Sequence, residues 1–235
     1  MGQILLVRHA QASFGSADYD RLSDLGIEQA QLLGAWIARR ATRVDLTVSG
    51  SLRRHRDTAE ACCAVLPTAL KPPLACRSEP DFDEYDADEI VARHRPEFAD
   101  LMTLQRYLAQ GDRPGLAFHE LFCAAMMRWM QGGHDAEYRE SWKCFRGRCI
   151  SALNRFIAEV GPSRTGIVFT SGGPITAICQ SLLELPDHRA LDLNLALANG
   201  GVTGLLYQPG RVSVSYINSF AYLEQTGDAR LITYR

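Results

Sequence analysis

The sequence predicts an α/β fold, a three-layer sandwich in which a mixed, mostly parallel sheet lies between two layers of helices. Short apolar runs at residues 4–7, 45–49 and 166–170 are typical of strands covered on both faces. Each run leads through a polar turn into a segment with helical periodicity, as in parallel βαβ units. Near the end of the chain, residues 202–207 and 212–217 alternate in hydropathy and flank a proline-glycine turn. This pair predicts a hairpin at an antiparallel edge of the sheet.

The helices are predicted from capping residues and from apolar spacing. Ser23 and Asp24 offer N-cap oxygens to a segment of about four turns whose apolar residues recur at helical spacing. Pro174 suits the first turn of a later helix, where the missing N–H is no loss. Residues 86–163 are largely helical and predict an inserted cap. The 235 residues are therefore expected to form one domain with that insertion.

Composition narrows the classes of partner. The net charge of −2 and the pI of about 6.3 give no cationic field for nucleic acid or anionic lipid, so we expect neither as a partner. Only four apolar residues precede Arg8, too few for a signal peptide. The seven cysteines are odd in number and lack CxxC spacing, which fits reduced thiols better than disulfides or zinc. A cytoplasmic protein without metal or other cofactor is expected.

Three of the predicted strand ends carry residues suited to phosphate. Arg8 and His9 follow the first strand, Arg54 follows the turn after the second, and Ser171-Gly172 follows the later apolar strand. Because ligands bind at the carboxyl ends of strands in open α/β sheets, these residues are expected to share one site. Guanidinium groups and helix N-termini bind phosphate oxygens, and a neutral histidine can accept a phosphoryl group. Taken alone, Arg8-His9 or Arg54 is more readily interpreted as a surface or solvated group, and it is their combination that favours a shared site.

Several short motifs occur in an order that resembles the histidine phosphatase superfamily, whose members are phosphoglycerate mutase-like. LVRHA at residues 6–10 is similar to the family's Arg-His-Gly signature, with Ala10 in place of glycine. The remaining matches are LSDLG at 22–26, SLRR at 51–54 with Thr58-Ala59, FDE at 82–84, Glu140-Ser141 before a long helix, and Asn199 with Val202-Thr203. The matches extend from about residue 4 to residue 222.

The resemblance implies a phosphatase that works through a phosphohistidine on His9. It implies that Glu84 is the proton donor to the leaving group, although the surrounding acidic run also reads as a solvated face. It further implies that the phosphate is bound by Arg8, Arg54, Ser171 and the Gly172 amide. The expected substrate is a phosphorylated small molecule or a phosphoprotein, and no recognition motif for it is present in the cap.

Ser171 is the main departure from the family pattern, because the family has its second histidine at this position. A serine hydroxyl donates one hydrogen bond and carries no charge, and loss of one such donor commonly costs about 10²–10³ in rate. A phosphate-binding or regulatory module with little turnover is therefore an alternative, and a mutase-like phosphotransferase is a second. The other histidines are interpreted as solvated or capping residues; they are His55, His94, His119, His134 and His188.

Overall fold

The computed structural model describes residues 1–13, 20–40, 43–72, 75–110 and 113–234. Within these ranges the strands form one sheet of six, in the order β3-β2-β4-β1-β5-β6. The strands are β1 Gly2–Arg8, β2 Leu46–Ser49, β3 Arg77–Ser78, β4 Thr165–Thr170, β5 Val202–Gln208 and β6 Arg211–Ser219. The short strand β3 was not expected from the sequence, because its two exposed residues have no apolar pattern.

The α-helices cover both faces of the sheet. They are α1 Asp24–Arg39, α2 Arg53–Ala64, α3 Ala87–His94, α4 Leu101–Ala109, α5 Pro114–Met130, α6 Trp142–Val160, α7 Gly172–Leu183, α8 Asp187–Ala196 and α9 Ala221–Glu224. Leu5 and Val7 of β1 face the core shared with α1, α2 and α9. Ile4 and Leu6 alternate to the opposite face, where α6 and α7 pack. The predicted α/β sandwich is confirmed.

Parallel pairing in the middle of the sheet brings the strand ends together. β1 pairs with β4 so that Arg8 lies opposite Thr170, and β2 pairs with β4 so that Ser49 lies opposite Phe169. Both pairs are parallel, so the carboxyl ends of all three strands open at the same edge of the sheet. β5 runs antiparallel to both β1 and β6, which confirms the predicted hairpin.

Helices α3 to α6 occupy the segment for which a cap is predicted. α6 packs against α7 and β4, and α3 packs against α5. The two groups meet at packed aromatic rings, among them Trp129 and Trp142, which are edge-to-face with centroids 5.1 Å apart. That this segment acts as a cap over the site stays a prediction.

The described residues include the nine α-helices named above and all seven cysteines. Among these residues no helix has the length and hydropathy needed to cross a bilayer. All seven cysteines are free thiols, as their number and spacing predicted. Burial raises the pKa of Cys149 and of Cys179 to about 12, so both side chains behave as small apolar groups.

Candidate active site

His9 follows the last residue of β1 and is held in one orientation by hydrogen bonds at its backbone and its ring. Its N–H donates to the Thr170 carbonyl over 2.7 Å, which continues the β1–β4 pairing by one residue. Its Nδ1 lies 2.8 Å from the Ala10 carbonyl oxygen. Because a carbonyl only accepts hydrogen bonds, Nδ1 carries the hydrogen and Nε2 keeps its lone pair. The neutral ring therefore presents Nε2 as the nucleophilic atom.

Asn199 fixes the backbone around His9 from the loop that precedes β5. Its Nδ2 donates to the His9 carbonyl over 3.2 Å, and its Oδ1 accepts from the Thr233 hydroxyl over 2.9 Å. The neighbouring Gly200 N–H donates to the Arg8 carbonyl over 3.1 Å. Asn199 is fully buried, so these bonds act without competition from water. The antiparallel neighbour of β1 therefore holds the Arg8-His9 turn in place.

Arg8 and Arg54 give the site its positive charge. The Arg8 guanidinium donates to the Leu197 carbonyl. Arg54, in the first turn of α2, forms an ion pair with Asp20 over 2.6 Å and has only 13% of its side chain exposed. Burial, reinforced by the charges of Arg54 and Arg8, holds the pKa of His9 well below the ordinary value of a histidine. His9 is therefore neutral near pH 7, as a nucleophile requires.

Asp20 is a site residue that no sequence pattern indicated. One of its oxygens accepts from the Arg53 N–H over 2.7 Å at the start of α2, and the other binds Arg54. A carboxylate is thus seated on the guanidinium that the resemblance assigns to phosphate. An anionic ligand that uses Arg54 has to share it with Asp20 or displace it.

Glu84 lies at the N-terminus of α7. Its Oε1 accepts from the Gly173 N–H over 3.1 Å. Burial raises the pKa of Glu84, while the Gly173 amide and the Arg54 charge oppose that rise. Arg148 of α6 donates to the Asp83 carbonyl over 3.0 Å and so anchors the segment. Glu84 is thus fixed by backbone contacts and has a carboxyl group that holds a proton more readily than an exposed glutamate.

The interpretation of His55 as a solvated histidine is wrong. Its side chain is fully buried, and its Nε2 lies 2.7 Å from the Ser171 hydroxyl oxygen. The centroids of the His9 and His55 rings are 5.7 Å apart. Arg54 and His55 both lie in the first turn of α2, where Gly50 and Ser171 lie close to the His55 ring and keep it from solvent. Ser171 itself is fully buried at the N-cap of α7.

The chain matches the family model of the histidine phosphatase superfamily (branch 1) over residues 4–219. It belongs to this superfamily. The match covers most of the chain, with all of strands β2 to β6 and all of β1 except its first two residues. No curated protein sequence matches the chain.

Several solved structures have the same histidine phosphatase fold. A phosphoserine phosphatase mutant from Entamoeba histolytica in complex with phosphoserine is 17% identical, with a TM-score of 0.65, and the match covers 95% of this chain and 100% of that one. A phosphoglycerate mutase from Bacillus anthracis is 16% identical, with a TM-score of 0.65 and 96% of each chain covered. A mycobacterial glucosyl-3-phosphoglycerate phosphatase is 21% identical, with a TM-score of 0.61, over 92% of this chain and 98% of that one. At these identities the likeness establishes the fold.

Of the residues that the superfamily resemblance singled out, those at the strand ends come together. His9 is electrostatically coupled to Arg8 and Arg54, and Glu84 is coupled to the same two arginines. Gly172 is the first residue of α7, so its N–H is one of those that a helix leaves without an intrahelical partner. In the described part of the chain, no group of three or more His, Cys, Asp or Glu residues could hold a metal ion.

The matches outside the pocket have structural roles in this histidine phosphatase fold. Ser23 caps α1 by accepting from the Gly26 N–H over 3.0 Å. Ser141 caps α6 in the same way, and the preceding Glu140 forms an ion pair with Arg148 over 2.8 Å. Of the remaining histidines, His94 is half-buried, while the other three are exposed, in keeping with their interpretation; they are His119, His134 and His188.

Proposed function

We propose that this histidine phosphatase superfamily member is a phosphomonoester hydrolase that works through a phosphohistidine on His9. The observation that carries the proposal is the state of the His9 ring, whose Nδ1 is bound to the Ala10 carbonyl while its pKa is lowered. A neutral imidazole with a free Nε2 lone pair beside two arginines is suited to attack phosphorus. Phosphatase and mutase structures with the same fold give both activities precedent.

In the first step, His9 Nε2 attacks phosphorus and forms the P–N bond while the ester P–O bond breaks. Arg8 and Arg54 balance the charge on the equatorial oxygens, together with the Ser171 hydroxyl and the Gly172 amide. The leaving alkoxide takes the proton of the Glu84 carboxyl. The raised pKa of Glu84 keeps part of the population protonated for this purpose.

In the second step, a water molecule attacks the phosphohistidine from the side that the alcohol has left. Glu84, now a carboxylate, takes one proton from that water as the P–O bond forms and the P–N bond breaks. Inorganic phosphate leaves, and both His9 and Glu84 return to their starting protonation states. The arginines supply the positive charge that phosphoryl transfer needs, so turnover is expected to persist in EDTA.

A mutase differs only in the acceptor, because a substrate hydroxyl then takes the place of water. A binding module would bind the phosphate without turnover. The Asp20 carboxylate on Arg54 favours this alternative, because it competes with substrate for the guanidinium. Both alternatives predict little inorganic phosphate release. Hydrolysis measured in water and again with added glycerol as an acceptor separates the three.

The test is release of inorganic phosphate from p-nitrophenyl phosphate and from an alkyl phosphate, in EDTA, by the native chain. His9→Gln should abolish release, and the native chain mixed with labelled substrate and quenched in alkali should carry label on His9. His134→Ala is the matched control, since His134 is exposed and its side chain pairs with Glu137 at 2.9 Å in the predicted cap. Activity that survives His9→Gln, or a native chain that neither turns over nor is labelled, would refute the proposal.

A further inference from the structure

The pair of His55 and Ser171 lies within the site and has no part in the mechanism above beyond the serine hydroxyl. Both side chains are fully buried, and Nε2 and Oγ are 2.7 Å apart. A buried polar pair at this distance is a strong, fixed hydrogen bond. The imidazole reaches the start of α7 from α2, across the carboxyl edge of the sheet.

The fold leaves room for His55 at the expense of a side chain at position 50. A Cβ on Gly50 would overlap His55 Nδ1 and would lie 2.8 Å from His55 Cε1 and 2.6 Å from Asp83 Oδ1. His55 Nδ1 is 3.8 Å from that same Asp83 oxygen, and Asp83 is held by the backbone N–H and the hydroxyl of Ser51. Gly50 and Asp83 thus lie close to the ring and Ser51 holds Asp83 in place; these three residues form the cradle of His55.

The hydrogen of Ser171 can serve only one acceptor. If His55 Nε2 accepts it, the hydroxyl has no hydrogen left for a phosphoryl oxygen. If His55 Nε2 carries its own hydrogen, the ring donates to Oγ and the serine hydrogen is free to point at the ligand. An anion in the pocket favours the second arrangement, in which the neutral ring carries its one hydrogen on Nε2 and none on Nδ1.

We propose that His55 and Ser171 together take the place of the second histidine that the family has at position 171. In this unit His55 is a positioning residue: its Nε2–H donates to Ser171 Oγ, and Ser171 donates its O–H to a phosphoryl oxygen. The inference rests on the proposed phosphate pocket of His9. It gives Ser171 the role of a relay and moves the imidazole from α7 to α2.

Another chemistry for the same residues is a serine nucleophile with His55 as its base and Asp83 as the orienting carboxylate. The two ideas differ in which residue becomes phosphorylated. The relay predicts label on His9. A serine nucleophile instead predicts alkali-labile label on Ser171, and that result would overturn the inference.

The first readout is the imidazole nitrogen spectrum of the full chain labelled with ¹⁵N-histidine, recorded with and without inorganic phosphate. The His55 signals are assigned by their loss in His55→Gln. Phosphate should give the tautomer protonated at Nε2 in the native chain, and Ser171→Ala, which retains both arginines, should not show this response. His55 signals that ignore bound phosphate, or that respond equally without the Ser171 hydroxyl, would overturn the inference.

The second readout is turnover in a set of exchanged residues. His55→Ala should lower kcat by about 10²-fold, in the range seen when one oxyanion donor is lost, with KM within a few-fold. His55→Gln should recover part of kcat because its amide can donate to Ser171. Ser171→His alone should also have a kcat below native, because the new imidazole would collide with the buried His55 ring. The double variant His55→Ala with Ser171→His should return to within about tenfold of native kcat.

Thermal unfolding of each variant separates these effects from loss of the fold, and His134→Ala serves again as the control with native kcat. Native kcat in both His55→Ala and His55→Gln would overturn the inference, and so would a double variant no better than its weaker parent. The phosphatase proposal fails separately: a native chain that shows the phosphate-dependent His55 signal but no turnover would refute hydrolysis and leave the relay standing.

Discussion

Replacing Glu84 by glutamine removes an acidic proton and little else. The glutamine Oε1 can still accept from the Gly173 N–H, which lies 3.1 Å from the glutamate Oε1, so the site should keep its shape. General acid catalysis contributes about 10²–10⁴ in rate, which corresponds to about 2.7–5.5 kcal/mol of barrier. Alkyl phosphates should lose that factor in Glu84→Gln. p-Nitrophenyl phosphate should lose less than about tenfold, because its leaving group needs no proton.

The pH profile of kcat/KM tests the two protonation states that the mechanism needs, neutral His9 and protonated Glu84. Activity needs neutral His9, so the rate rises as pH increases through the His9 pKa, which burial holds below the ordinary value of about 6.5. It also needs protonated Glu84, so the rate falls as pH increases through the Glu84 pKa, which burial raises. The rate should therefore rise with pH on the acid side of the profile and fall on the alkaline side, and Glu84→Gln should remove the alkaline limb. Equal losses for both substrates, or an unchanged alkaline limb, would refute the role of Glu84.

Three further predictions concern charge, protonation and space. Asp20→Asn should tighten inorganic phosphate binding by about three- to tenfold, measured by calorimetry, because it removes the carboxylate from Arg54; weaker binding would contradict this. Folding holds the pKa values of His9 and His55 well below the value of about 6.5 expected in the unfolded chain, so between the folded and unfolded pKa values the unfolded state binds more protons. As the pH falls through this range, the free energy of unfolding should decrease by up to about 1.4 kcal/mol per pH unit for each histidine. Unfolding free energies measured by urea titration should depend less steeply on pH in His55→Gln. Gly173→Ala should lower kcat and melting temperature because its Cβ would overlap Glu84 Oε1, whereas Gly147→Ala in α6, with no atom within 4 Å, should raise the melting temperature.

The fold was predictable because the signals that determine it are local. Residues 4–7 are apolar without a break, and β1 is covered on both faces by separate cores. Ser23 predicted the start of α1 because a cap acts within one turn of its own helix. β3 was missed because it is two exposed residues long and exists only through its pairing with β2.

The site was only partly predictable, since several of its contacts join residues far apart in sequence. His9 and Arg54 were found because each follows a predicted strand, has a side chain suited to phosphate, and lies in a motif that resembles the family's signatures. Asp20 and His55 were missed because each is far from its partner along the chain, as His55 and Ser171 are, 116 positions apart. The one available signal was that His55 directly follows Arg54, while Ser171 stands where the family has a histidine. The 2.7 Å contact between His55 Nε2 and Ser171 Oγ connects these two features.

The consecutive residues Asp83 and Glu84 link the two helix N-termini that surround the site. Asp83 accepts from the Ser51 N–H just before α2, and Glu84 accepts from the Gly173 N–H in the first turn of α7. Carboxylates are stabilised at helix N-termini, so each holds its helix against the sheet edge. Arg148 fixes the segment between them through the Asp83 carbonyl. The cradle of the positioning imidazole and the proposed proton donor therefore share one anchored stretch of backbone, and a change that shifts this stretch acts on both at once.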